Sequence, residues 1–423
     1  RMTDPASFSR AMGNILGLIT TGQMNYNYNR DGSPLAIGDP PIRNFASNEY
    51  EFFLSDSFRA TPSLTLTYGV RYARYGVPYE RSGLQVAPTF PLEAFYAERL
   101  GGMANGTPMN QLPNALLRYG FNGPVNGTDS WYRPDNNNFA PRAGLAYKVS
   151  ERMVVRSGFG LFFNPTTGNG PNATNQGALS YNAVTPVNTS IDGGRTPYAT
   201  LSNPFPDGFQ KPESGALGLR TFEGQALNAI IRGDRTPYSM QWNFDVQYAV
   251  KNNMLFDVAY AGNAGVKLQA QADLNQLPDQ YLALGDRLQD VVDNPFFGTF
   301  PATSSLGART TTRGQLLRPY PQFTGITHVW GSQAHSSYHS LQAKFRKRYR
   351  GGLQMMAAYT WSKMIDDTSS VAGFLGLANP DYTNNNRKDL DKSLSTYDIP
   401  HRFVTNFQYE MLFGKGKQWV TGG

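Results

Sequence analysis

The chain contains no cysteine in 423 residues. Disulfides, thiol nucleophiles and thiolate metal sites are therefore excluded together. Charge is scarce as well: charged residues make up 16% of the chain, and the formal net charge is +7. A nucleic-acid surface needs a dense basic stripe, whereas the single basic cluster is Lys344-Phe-Arg-Lys-Arg-Tyr-Arg350. No apolar run approaches the ~20 residues of a membrane-spanning helix; the stretch from Ile15 to Thr20 is far too brief. No leader peptide is visible and the first residue is Arg1, so the start reads as internal to a longer precursor. What is plentiful points elsewhere. With 24 Tyr, 26 Phe, 43 Gly and 28 Pro, the composition suits many turns and half-exposed strands.

Apolar residues recur at every second position in five segments, the signature of strands with two unlike faces. Tyr50, Phe52, Leu54 and Phe58 alternate with Glu49, Glu51, Ser55 and Ser57. After Ala60-Thr61-Pro62-Ser63, the residues Leu64, Leu66, Tyr68, Val70 and Tyr72 alternate with Thr65, Thr67, Gly69 and Arg71. A second hairpin is predicted from Phe139, Ala143, Leu145, Tyr147 and Val149, through Ser150-Glu151-Arg152, to Met153, Val155, Phe159, Leu161 and Phe163. The third is the most regular: Tyr238, Met240, Trp242, Phe244, Val246, Tyr248 and Val250 face one way and Ser239, Gln241, Asn243, Asp245 and Gln247 the other. It turns at Lys251-Asn252-Asn253 and returns through Met254, Phe256, Val258 and Tyr260. The fourth runs from about Ser337 to Lys363 and turns at Arg350-Gly351-Gly352. The fifth begins near His401, with Phe403, Phe407, Tyr409 and Met411 on one track, and reaches a turn at Gly414-Lys-Gly-Lys417.

Between the hairpins lie polar loops rich in Pro, Gly and Asn, at about 77–138, 164–236, 261–334 and 364–400. Tight turns at one end and long loops at the other form the asymmetry of an outer-membrane barrel, with periplasmic turns and extracellular loops. A soluble sandwich has no reason to place every long connection at one end. Strands of ten to fourteen residues at ~3.3 Å each, tilted by ~40°, span an apolar slab of ~25 Å. The fold expected is all-β: part of an antiparallel transmembrane β-barrel of about 10–12 strands, with no separate plug visible.

The bulky apolar track tolerates hydrocarbon and the polar track does not, so the polar track is expected to line the lumen. Its candidates are Glu51, Arg71, Arg142, Arg156, Gln241, Asp245, Lys344, Arg346 and Arg348. Lys347 and Arg350, near the short-turn end, are placed to meet lipid phosphates. Candidates for an interfacial aromatic girdle are Tyr68, Tyr72, Tyr238, Trp242, Tyr359 and Trp361.

Several blocks carry a resemblance. They are Leu64-Thr-Leu-Thr-Tyr-Gly-Val-Arg-Tyr72, Asn138-Phe-Ala-Pro-Arg-Ala-Gly-Leu-Ala-Tyr147, Thr236-Pro-Tyr-Ser-Met-Gln-Trp-Asn243 and Val258-Ala-Tyr-Ala-Gly-Asn-Ala-Gly265. Arg318-Pro-Tyr-Pro-Gln-Phe323, Ser336-Ser-Tyr-His-Ser-Leu-Gln342, Tyr359-Thr-Trp-Ser-Lys363 with Ile365-Asp-Asp367, and Pro400-His-Arg-Phe403 follow in order. Over most of Phe45 to Lys417 the chain resembles the barrel of Oar-like TonB-dependent receptors. The resemblance implies a barrel of about twenty-two strands filled by an N-terminal plug. It also implies uptake or export of a large solute, energised through TonB. The chain departs from that plan: neither plug nor TonB box is readable in it, and it ends at Val420-Thr-Gly-Gly423, so it reads as a fragment of the barrel.

Candidate chemistry is thin. His335 and His339 are four apart, a metal-ligand spacing on a helix, but on a strand about 13 Å separates them. Asp366, Asp367, Asp389, Asp391 and Asp398 are calcium-loop residue types without the ordered spacing or glycine, and read as solvated loop acids. Gly414-Lys-Gly-Lys417 lacks the Ser or Thr and the strand-to-helix setting of a phosphate loop. The sequons at Asn105, Asn126 and Asn172 carry little meaning in a bacterial envelope. Only four histidines are present and none groups with Ser and an acid, so no catalytic site and no cofactor are expected. Expected partners are outer-membrane lipid and lipopolysaccharide, the plug and TonB by resemblance, and an unidentified extracellular solute, not nucleic acid. A non-transporting structural, adhesive or scaffold barrel, and a passive pore, are the competing readings.

Overall fold

The computed structural model describes residues 44–88, 119–130, 132–164, 235–251, 253–300, 306–350, 352–368 and 382–411, with shorter stretches elsewhere. Among these residues nine long strands follow one another through a single sheet. They are β1 (Glu49–Thr61), β2 (Leu64–Tyr75), β3 (Asn138–Ser150), β4 (Met153–Phe163) and β5 (Tyr238–Lys251), then β6 (Met254–Asp273), β7 (Gly325–Arg350), β8 (Leu353–Asp366) and β9 (His401–Tyr409). Each is antiparallel to its sequence neighbours, giving an up-and-down meander. Two short strands complete an 11-stranded sheet: Ser393–Leu394 beside β8, and Ala226–Ala229, which runs parallel to the start of β7. Among the described residues no helix is long and apolar enough to cross a membrane.

Each short turn repeats one device. The register slips between Arg59 and Thr61, Lys148 and Ser150, Ala249 and Lys251, and Lys347 and Arg350, always just before the chain reverses. A bulge there adds right-handed twist, so the strands enter a tight reversal without splaying. At the fourth turn Gly352 has φ 76°, a conformation a side chain would strain. Asn252, Gly351 and the Gly414–Lys417 turn lie outside the described residues.

Register settles which residues share a face. One row crosses all nine strands as Phe58, Leu66, Leu145, Ser157, Phe244, Tyr260, Leu341, Trp361 and His401. A row on the opposite face reads Arg59, Thr65, Ala146, Arg156, Asp245, Ala259, Gln342, Thr360 and Arg402. Alternation within each strand thus becomes two chemically distinct faces of one sheet. Cross-strand aromatics pack along the apolar face: Tyr72 with Phe139 at 4.7 Å between ring centroids, and Phe256 with Phe345 at 4.8 Å. Such pairs contribute roughly 0.2–1 kcal/mol each.

No second layer covers that face among the described residues. Phe52 is 65% exposed, Trp361 57%, Phe403 65% and Phe407 66%. Among the described residues the buried large hydrophobics lie instead beyond the strand pairs, in Phe296, Phe300, Leu306, Tyr320, Phe323, Ile326 and Tyr382. A water-soluble sheet buries its apolar face. This one presents it outward.

Two expectations need correction. The connection expected over 261–334 is shorter, because β6 continues to Asp273 and β7 begins at Gly325. Alternation fades after Ala261 because that part of the ribbon extends past the strand pairs, where no apolar face is required. A bulge between Gly265 and Leu268, with Lys267 at φ 55°, marks the change. The apolar track is also not unbroken: Asp56, His339, Lys363 and His401 share its face. Asp56 accepts a hydrogen bond from the Tyr68 hydroxyl at 3.0 Å.

Candidate functional site: the polar face and the loop platform

The polar face is concave. A depression of about 640 Å3 is walled by Arg156, Asp245, Gln247, Asp257, Lys344 and Arg402. Within it Arg156 Nη1 donates to Gln247 Oε1 at 3.0 Å, and Gln247 Nε2 donates to Asp257 Oδ2 at 3.2 Å. Asp245 stands opposite Arg156 in register. A second depression of about 400 Å3 brings Arg142, Gln241, Asn243, Asn263 and Tyr338 together. Arg142 lies 4.7 Å above the Phe162 ring, a cation–π contact. Glu51 and Arg71 pair across β1 and β2. Arg346 shares this face but lies toward the short turns, opposite Leu255 and Met356. Arg348 lies nearer still to the turn, its backbone N–H donating to Asn253 O at 2.8 Å.

Asp257, Asn263 and Tyr338 were not singled out from the sequence, although strand parity places them on this track. Arg59, Arg402 and the apolar Phe53 and Phe162 also fall on it. Among the described residues no three His, Asp or Glu side chains converge as a metal site. The arrangement supplies alternating charges and amide groups on one face of the sheet.

The six aromatic candidates all occupy the apolar face. Tyr72 lies toward the long-loop end of β2, Tyr238 and Trp242 at that end of β5, and Trp361 in that half of β8. Tyr68 and Tyr359 lie nearer the middle of their strands. Trp242 packs over Gly262, where an added Cβ would meet the indole at 2.4 Å.

Beyond the strand pairs, the extended β6–β7 ribbon carries a folded platform. Asn275 is fully buried, and Arg318-Pro-Tyr-Pro-Gln-Phe323 wraps around it. Its Nδ2 donates to Tyr320 O at 3.0 Å and Phe323 O at 2.8 Å, and its Oδ1 accepts from Tyr320 N at 2.8 Å. Gln315 Nε2 donates to Pro321 O and Phe323 O, both at 2.8 Å. The connection before β9 clamps onto the same platform. Gln276 Nε2 donates to Asn384 Oδ1 at 2.7 Å, and Asn384 Nδ2 donates to Asp279 Oδ1 at 3.1 Å. Tyr382 donates to Gln333 O at 3.2 Å. Burial, and then the charges of Asp367 and Asp391, push its phenol above the usual range, so it remains a donor. His335 Nδ1 lies 3.3 Å from Asp367 Oδ2. The two long connections are thereby held together.

The connection after β2 is pinned by a buried carboxylate. Glu80 accepts from Asn44 N at 3.1 Å and Leu84 N at 2.8 Å. Burial opposes its ionisation, but the backbone N–H donors outweigh that and hold the carboxyl below its ordinary range. A depressed pKa stabilises the fold above the unfolded-state value, and the gain is lost as pH falls through the folded value. Protection of the Asn44 and Leu84 amides, measured relative to intrinsic exchange at each pH, is therefore expected to fall on acidification below the normal carboxylate range. In Glu80→Gln that protection should be lower already at neutral pH and nearly insensitive to acid.

Comparison with known proteins agrees with this geometry. The family described as outer membrane beta barrel domain matches residues 32–423. No curated protein matches the chain. Solved structures similar to it include the ferripyoverdine receptor of the outer membrane of Pseudomonas aeruginosa bound to ferripyoverdine, at 10% identity and TM-score 0.34, covering 90% of this chain and 28% of that one. The siderophore receptor PirA of the same organism is 9% identical with TM-score 0.32, covering 76% of this chain and 36% of that one. The outer membrane transporter YddB from Escherichia coli is 9% identical with TM-score 0.36, covering 86% and 40%. The chain thus spans well under half the length of each. With a match over almost its whole length, a two-faced antiparallel meander and an apolar face exposed among the described residues, the chain belongs to the outer membrane beta barrel domain family and resides in the bacterial outer membrane.

Proposed function

We propose that this chain is the barrel wall of a TonB-dependent transporter that moves an unidentified solute, the polar face lining a lumen filled by the plug of the same protein. The observation that supports the reading most is the register. It collects Arg71, Arg142, Arg156, Gln241, Asp245 and Lys344 on one concave face. A mosaic of both charges and amides can dock a folded plug and still release it, because wet ion pairs are individually weak. On this reading Glu51, Arg346 and Arg348 also face the lumen, and the aromatic candidates contact the acyl chains and their interface. The tied platform of the β6–β7 ribbon and the 382–400 connection meets the solute outside.

Two measurements test it. The lack of cysteine lets single spin labels report on neighbouring positions: Leu341→Cys should be accessible to oxygen and shielded from a water-soluble relaxant, and Gln342→Cys the reverse. In planar bilayers the full-length protein should be silent and should conduct when its plug is removed. Steady conductance by the intact protein would leave a passive pore. Silence with or without the plug would leave a structural or adhesive barrel.

A further inference from the structure

Three of the polar residues on the apolar face gather near one end of the sheet, away from Asp56 on β1. His339 stands opposite Lys363 across β7 and β8. His401, the first residue of β9, stands opposite Trp361, two residues from Lys363. All three are exposed, and all lie in the long-loop half of their strand pairs. Among the described residues the Lys363 ammonium has no hydrogen-bond or ion-pair partner. A lysine facing acyl chains at mid-bilayer costs about 2–4 kcal/mol, falling to ~0–1 at the interface. Its place is therefore among headgroups.

Both imidazoles are held the same way. Tyr260 Oη lies 2.7 Å from His339 Nδ1 with the rings stacked at 18°, and Tyr359 Oη lies 2.8 Å from His401 Nδ1 with the rings at 16°. In each pair the tyrosine stands opposite the residue two positions turnward of the histidine, so the motif repeats between β6–β7 and β8–β9. Trp242 Nε1 can only donate, and it donates to Tyr260 Oη at 3.4 Å. With that hydroxyl donating to Nδ1, the His339 ring presents Nε2–H as a donor.

We propose that His339, Lys363 and His401 form a binding site for a phosphate group of the glycolipid that makes up the outer leaflet. The proposal rests on the reading that this face meets lipid and that the long loops are extracellular. Lys363 supplies the charge, and the imidazole on either side supplies an N–H donor oriented by its tyrosine. Charge-assisted hydrogen bonds of this kind are stronger than neutral ones. The adjacent Trp361 and Tyr359 offer apolar surface to the lipid's first methylenes.

The test uses the full-length protein in nanodiscs doped with lipid A or with lipid A stripped of its phosphates, the bound lipid being counted by native mass spectrometry. Retention of the phosphorylated form should exceed that of the stripped form. It should fall about tenfold in Lys363→Met, the loss expected for one charge-assisted hydrogen bond. Lys363→Arg should retain it, the double variant His339→Phe/His401→Phe should lose it, and millimolar inorganic phosphate should not displace the lipid. Equal retention of both lipids, no effect of Lys363→Met, or displacement by free phosphate overturns the proposal. The spin label at Leu341→Cys separates the two failures. If it reports acyl chains, only the phosphate site falls; if it reports water, the lipid-facing assignment falls as well.

Discussion

Leu341→Arg is expected to destabilise the membrane-inserted protein by about 2–4 kcal/mol, whereas Gln342→Arg should change its stability by less than ~0.5 kcal/mol. The two positions are adjacent, so strand propensity and distance from the turn are matched. What differs is the face. Leu341 lies between Tyr260 and Trp361 on the apolar side, 46% exposed to whatever surrounds the barrel. An arginine there must sit in hydrocarbon or pull water toward it. Gln342 lies between Ala259 and Thr360 and borders the depression that holds Asp245 and Asp257. A new guanidinium there gains carboxylates and stays hydrated. Reversible urea unfolding from lipid vesicles measures both. Equal destabilisation by the two variants would show that the faces are not in different solvents.

The second large effect is expected at Asn275. Asn275→Ala should unseat the Arg318–Phe323 strap, costing about 2–4 kcal/mol of local stability. It removes three hydrogen bonds and leaves Tyr320 N without a partner in a site closed to water, while Tyr320 O keeps only Phe323 N and Phe323 O only Gln315 Nε2. Asn275→Asp should do at least as much harm, since a carboxylate has no donor for the two carbonyls. Hydrogen exchange at the Tyr320 amide is the direct readout, and it should rise by roughly 30- to 1,000-fold if opening is local. Exchange in β4 and β5, remote in the sheet, should stay unchanged. Uniform acceleration throughout the sheet would mean that the strap is not a separable unit.

Much of the architecture was legible because alternation is a local property. Leu66, Tyr68 and Val70 announce an apolar face without reference to any other strand, and Thr67 and Arg71 announce its opposite. The first four tight turns were equally readable, since polar residues and glycine interrupt the alternation there. Less was visible on the polar face. Asp257 and Tyr338 were passed over because an isolated polar residue in a strand gains meaning only from its cross-strand neighbours Gln247 and Asn263. The strand ends near Ala261 were misjudged for a related reason. Outside the bilayer a ribbon is held by register and loop packing, so its residues need not alternate.

By itself, then, the order of residues determined that the chain is a two-faced antiparallel wall with tight turns at one end and long connections at the other. Those traits follow from period two and turn chemistry, which act within about ten residues. Tertiary structure decided what depends on distant partners: Asn384 on Gln276, Tyr382 on Gln333, the strap around Asn275, and the Tyr–His pairs flanking Lys363. Each requires a particular register between strands, or a loop returning from 45 to 108 positions away. Hydrogen bonds across such spans exist only once the sheet has brought their ends together.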